Sequence, residues 1–171
     1  MAVFVADEQD RPVDGDDLAD LARYVLRERR VPPDMELSLM LVDEQAITAL
    51  NAHHLGNPEP TDVLAFPIDE PGETPPGVPA VLGDVVLCPA VAERQAIRRD
   101  RDLREELRVL TVHGILHVLG MDHADPEDER EMFALTETLL DSFRRLGSED
   151  SHGRVDGRGS HRDAQAGEGS R

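Results

Sequence analysis

His113-Gly114-Ile115-Leu116-His117-Val118-Leu119-Gly120-Met121-Asp122-His123 dictates most of what the rest of the chain must do. His113 and His117 stand four residues apart, which on a helix puts both imidazoles on one face with Cβ atoms about 6 Å apart. One divalent ion can take a nitrogen from each. Gly120 follows one turn later, where a helix can stop because glycine tolerates the left-handed conformation just past a C-terminus. A stop there lets the chain turn back and carry His123 to the same ion. Three neutral imidazoles and a water make the open tetrahedral arrangement of a catalytic zinc, so one Zn2+ per chain is expected on His113, His117 and His123. The chain has seven histidines, and three fall here with metal spacing around a stop glycine.

Upstream, the same helix is expected to run over about 102–119. Leu103, Leu107 and Leu110 form one stripe, and from Val109 to Leu119 the pattern is apolar on all sides, which marks a buried helix. His113 and His117 then look outward from a rigid buried element. Gly114 costs helix propensity but permits close packing. Downstream, Asp125 reads as the cap of a last helix, with Pro126 at its first position and acids in its first turn. Met132, Phe133, Leu135, Thr136, Leu139, Leu140 and Phe143 form its apolar face, and Gly147 is expected to end it. Residues 147–171 hold six glycines, four serines and one large aliphatic, Val155. A segment so poor in apolar residues reads as a disordered tail, leaving 1–146 as the single folded domain.

Toward the N-terminus, residues 2–6 read as a strand. A helix follows to about Arg30, with Asp14, Asp16 and Asp17 at its start. Residues 37–42 are a strand apolar enough for burial on both faces. Asp43 caps a helix to about His54. This strand–helix alternation implies parallel neighbours joined by right-handed crossovers. Leu55–Asp62 is a loop, Val63–Phe66 a short strand, and 67–80, with five prolines and two glycines, an exposed connection. Val81–Leu87 is a strand with a bulge or bend at Gly83-Asp84. No helix separates it from the preceding strand, so that pair is expected to be antiparallel. Pro89 opens a further helix, Val91–Arg99. The fold class is therefore α+β: a small four-stranded mixed sheet with about five helices, one of them buried and metal-bearing.

Composition bounds the function. All 171 residues fit one domain, and with four Phe, one Tyr and no Trp the core must be aliphatic. A single cysteine, Cys88, excludes an internal disulfide and fits a reducing compartment. At the end of an apolar strand it reads as a small buried residue rather than a ligand. The start of the chain has no basic segment ahead of an apolar one, and no apolar run is long enough for a bilayer, so a cytoplasmic protein without membrane contact is expected. The net charge of −18, with no lysine, opposes phosphate backbones at long range. The one dense cationic cluster is Arg94, Arg98, Arg99, Arg101, Arg104 and Arg108. Interleaved with Glu93, Asp100, Asp102, Glu105 and Glu106, it reads as a solvated face, with a local phosphate-binding patch as the alternative.

The spacing of the three histidines around Gly120 is that of the long zincin motif of metalloproteases. There a glutamate follows the first histidine and acts as general base; here that position is Gly114, which cannot take a proton. The string His113-Gly-x-Leu-His117-x-x-Gly120-x-Asp122-His123 instead resembles the signature of the YbeY family, bacterial rRNA maturation factors and single-strand-specific endoribonucleases. Further segments are similar in order and spacing: Leu50-Asn51 followed by Pro60-Thr61-Asp62-Val63-Leu64-x-Phe66-Pro67; Leu82-Gly83-Asp84; and Met132 with Glu137. The resemblance covers roughly 37–146 and implies a zincin-like fold.

It also implies zinc on His113, His117 and His123, a substrate-facing loop at Thr61-Asp62, and metal-dependent cleavage of single-stranded RNA in rRNA maturation and ribosome quality control. Ribosomal proteins or the small ribosomal subunit are the partners it suggests. Asp122, between ligands, is expected to orient an imidazole; it and Asp62 are the candidate acids of the catalytic set. The chain departs from many members in having His54-Leu55 for Tyr-Arg and Ala65 for Ser. Leu55 cannot bind phosphate, so either another arginine substitutes, with Arg94 and Arg98 as the candidates, or RNA cleavage is weaker here. A ribosome-assembly factor with a mainly structural zinc is the alternative, and a metalloprotease is disfavoured by Gly114.

Overall fold

The computed structural model describes residues 2–122 and 124–152, the side chains of 151 and 152 excepted. Four strands and five helices follow one another as β1 (Ala2–Glu8), α1 (Gly15–Glu28), β2 (Met35–Val42), α2 (Glu44–Leu55), β3 (Val63–Pro67), β4 (Ala80–Leu87), α3 (Pro89–Arg98), α4 (Leu103–Val118) and α5 (Pro126–His152). The sheet order is β1-β2-β4-β3. β1 and β4 flank β2 in parallel, and β3 lies antiparallel to β4 at the edge. The sheet is therefore mixed, as expected from the absence of a helix between β3 and β4. The register of β2 against β4 shifts between Glu36 and Leu37, where Leu82 is passed over, one residue before the Gly83-Asp84 step at which the sequence places a bulge or bend.

Period-2 alternation decides which face of the sheet is covered. Met35, Leu37, Leu39 and Leu41 of β2 are buried, while Glu36, Ser38 and Met40 are only half-buried. The first set meets α1, α4 and α5 in the main core with Leu21, Val25, Leu107, Ile115, Leu116 and Leu140. A second, smaller cluster of Val42, Ile47, Leu64, Val86, Cys88, Ala90 and Val91 lies on the opposite face, partly roofed by Ala46 and Leu50 of α2. Burying a leucine in such a core stabilises by roughly 1.5–3 kcal/mol, and Tyr24 is the one buried aromatic among the described residues of a core that is otherwise aliphatic.

Helix starts follow the expected caps. Asp43 accepts from the Ala46 amide at 2.8 Å, and Asp125 accepts from the amides of Glu127 and Asp128 at 2.9 Å. The end of α5 departs from the sequence reading: the helix runs through Gly147 to His152. A glycine stops a helix only where the chain takes up a left-handed turn, and Gly147 is not among the positive-φ glycines. The first six residues of the anticipated tail thus belong to α5, and 153–171 lie outside the described residues. Among the described residues no helix is long and apolar enough to cross a membrane.

Candidate metal centre

α4 carries the first two candidate ligands. Asp102 caps it by accepting from the Glu105 amide at 2.7 Å. Its buried side, Leu107, Leu110, Val112, Ile115 and Leu116, fixes it against the sheet. The approach to β4 is close at one point. A Cβ on Gly114 would fall 2.6 Å from Cγ1 of Val85 and 3.2 Å from Cγ2 of Val63. Glycine is thus the residue that lets the helix lie this near β3 and β4.

Nε2 of His113 and Nε2 of His117 are 3.1 Å apart, with both rings half-buried and inclined at 72°. Two imidazole lone pairs at this distance repel unless a proton or a cation lies between them. A tetrahedral zinc with Zn–N of about 2.0–2.1 Å sets its ligand nitrogens about 3.3–3.4 Å apart. The pair therefore fits one ion with almost no adjustment. Past His117 the helix closes as expected. Gly120 adopts φ +93°, its amide donates to the His117 carbonyl at 2.9 Å, and the Met121 amide donates to the Leu116 carbonyl at 3.0 Å. These two bonds form the Schellman pattern, which reverses the chain directly before Asp122 and His123. Asp122 is exposed. His123, the third candidate ligand, lies outside the described residues. Among the described residues no group of three His, Cys, Asp or Glu side chains gathers as a metal cage.

Asp62 stands at the start of β3, next to α4. Its Oδ1 accepts from the Val63 amide at 2.8 Å and from Thr61 Oγ1 at 3.3 Å, and its carbonyl accepts from the Cys88 amide at 2.9 Å. The loop before it is tied to α2, because Asn51 Nδ2 donates to the Glu59 carbonyl at 2.9 Å and Asn51 is buried. Thr61-Asp62 is thus a fixed corner beside the histidine helix. Cys88 is fully buried in the smaller cluster, away from the main core that holds α4, and burial pushes its thiol pKa up.

The arginine cluster is a set of fasteners. Arg94 pairs with Glu44, and its hydrogen bond holds that carboxyl below the usual range. Arg99 and Arg101 converge on Glu106, which is fully buried, at 2.7 and 3.3 Å. Arg104 and Arg108 both bind Asp17, at 2.8 and 2.7 Å. Arg98 is the member for which no ion pair is found among the described residues. The substitution of Arg94 for the missing arginine at Leu55 fails on geometry. Arg94 binds Glu44 at the first residue of α2, and Leu55 is the last, about 16 Å away along the helix.

Comparison with known proteins gives the same frame. The family model described as Endoribonuclease YbeY matches residues 4–144. The chain belongs to that family. Among YbeY relatives, the Acidothermus cellulolyticus protein is 52% identical over 151 residues, covering 84% of this chain and 92% of its own. The Thermobifida fusca protein is 49% identical over 150 residues, covering 85% and 96%. Both are named Endoribonuclease YbeY. The solution structure of TM1509 from Thermotoga maritima superposes with a TM-score of 0.53 at 28% identity, covering 91% of this chain and 99% of its own. The four-stranded mixed sheet and five helices of this chain are thus a YbeY-like, zincin-like α+β fold.

Proposed function

We propose that this YbeY family member is a zinc-dependent, single-strand-specific endoribonuclease acting in rRNA maturation and ribosome quality control. The observation that carries the metal part is the 3.1 Å separation of the His113 and His117 Nε2 atoms, directly before a left-handed turn at Gly120. The nuclease part rests on family membership and on the relatives' name, Endoribonuclease YbeY. Substrates would be rRNA precursors, met in the cytoplasm on or near ribosomal proteins of the small subunit.

His113, His117 and His123 would hold one zinc. When bound, that ion supplies Lewis-acid polarisation of a phosphoryl oxygen and acidifies a water. The chain's own residues do the positioning. α4, locked through Gly114 against Val85, keeps two imidazoles in place. The Schellman turn presents Asp122, which would orient an imidazole and fix its tautomer. The Thr61-Asp62 corner, held through Asn51 and Cys88, would face the scissile strand. Gly114 offers no proton acceptor, which sets this site apart from the proteases that share the histidine spacing.

The test pairs wild type with His117→Ala. Bound metal is measured in each, and each is incubated with single-stranded RNA before and after chelation and refilling with zinc. About one zinc per chain, with cleavage lost in the variant and restored in refilled wild type, is expected. Bound zinc without cleavage by clean wild type would favour a ribosome-assembly factor. Asp122→Asn should lose zinc affinity about 10- to 100-fold together with cleavage. Full metal retention with cleavage abolished would instead make Asp122 a proton-transfer group.

A further inference from the structure

Three sets of rings touch among the described residues. Tyr24 and Phe143 meet inside the main core, with Tyr24 buried. His113 and His117 are the candidate ligands. The third set is an assembly that neither packing nor the metal accounts for. His53 and His54 meet edge to face with centroids 4.8 Å apart, and His54 leans on Phe66 at 4.7 Å. His53 and His54 are exposed, while Phe66 is half-buried with its inner side against the smaller core cluster. A core contact would shield all three rings, and this one leaves two of them in solvent.

Its place in the fold is specific. The histidines occupy the last turn of α2, immediately before Leu55, which is 66% exposed. Phe66 is on edge strand β3, three residues after Val63, the residue that closes on Gly114 of the histidine helix. Three extended residues span about 10 Å and carry the side chain to the other face of the sheet, so the rings and the histidine helix lie on opposite sides of one short edge strand.

Charge points to the ligand. The protein has a net charge of −18, and of its one dense arginine cluster the members at 94, 99, 101, 104 and 108 are engaged by carboxylates, which leaves Arg98 as the cluster's cation available to a phosphate. Stacking on a base needs no cation, since every base has a π-face. Resting on the nuclease reading above, we infer that His53, His54 and Phe66 form a stacking platform for an unpaired base of the RNA, and that stacking supplies most of the affinity. Selectivity for single strands then follows, because bases in a duplex are stacked on each other and do not present a free face.

The test measures binding of the full chain to a short 2′-O-methyl single-stranded oligonucleotide, with and without one abasic position. His54→Ala should weaken binding roughly 5- to 150-fold, and His54→Phe should restore it. The abasic probe should bind wild type more weakly but His54→Ala unchanged. The salt dependence of wild type should correspond to roughly one or two phosphates. Zinc content and thermal midpoint, read in parallel, should stay at the wild-type values in both variants. Equal affinity of wild type and His54→Ala, or of wild type for intact and abasic probes, would overturn the platform while leaving the nuclease reading intact. A wild type that neither binds nor cleaves any single strand would remove both.

Discussion

The amide of Gly120 donates to the carbonyl of His117 at 2.9 Å, so the second candidate ligand is also the residue that closes the turn toward the third. Gly120 has open space around its Cα, and its φ of +93° is the one obstacle to a side chain there. Gly120→Ala should therefore cost roughly 1–2 kcal/mol of backbone strain. If the turn opens to relieve it, zinc affinity should fall roughly 5- to 30-fold. Metal titration of folded protein, alongside the thermal midpoint, measures how the strain is divided.

Gly114 predicts the opposite kind of failure, steric rather than conformational. Gly114→Ala would gain up to about 1 kcal/mol of helix propensity, but it forces a methyl onto Val85, itself fully buried. Overpacking of this sort costs about 1–3 kcal/mol, so net destabilisation is expected in chemical denaturation. Adding Val85→Ala should recover part of the loss if the clash is the cause.

Asp17 gives a pH signature. Burial pushes its carboxyl pKa up, but hydrogen bonds from Arg108 and Arg104 outweigh burial and hold it at about 2. Because the folded value is depressed, the stabilisation is fully present above the unfolded value of about 4 and fades as pH falls toward 2. It amounts to roughly 1–2 kcal/mol after solvent screening. Denaturation midpoints of wild type should drop across that window, and those of Asp17→Asn should be lower at neutral pH and flatter below 4.

Leu55→Arg tests the departure from the family's Tyr-Arg. The position is exposed, so the change should leave stability within about 0.5 kcal/mol. Single-strand binding should tighten, its salt dependence should steepen by about one phosphate, and cleavage should rise. An arginine there that changed neither would show that the scissile strand does not pass the end of α2.

What could be read from the sequence was local. The cap at Asp43, the stop at Gly120, the antiparallel β3–β4 pair and the burial of α4 all follow from periodicity and turn chemistry within a few residues. The links across the chain could not be read that way. Arg108 meets Asp17 from 91 residues away, and its guanidinium also sits 5.3 Å from the Phe143 ring. No pattern in either neighbourhood announces that pairing, which is why the arginines looked like a solvated face. His54 and Phe66 escaped for the same reason, since one ends a helix and the other sits on a strand. Gly147 failed differently: a glycine near a helix end is an opportunity to stop, and only the chain beyond it decides.

The contact between Gly114 and Val85 bears on how this enzyme family and the metalloproteases that share its histidine spacing stay apart. Two of the four glycine codons become glutamate codons by a single base change, so the genetic code does little to hold the two chemistries apart. The obstacle is spatial. A glutamate at 114 would set its first carbon 2.6 Å from a methyl of Val85, so that side chain or the histidine helix would have to move to admit it. A change from one chemistry to the other would therefore need a second change at Val85, and whichever came first would leave the core overpacked or hollow.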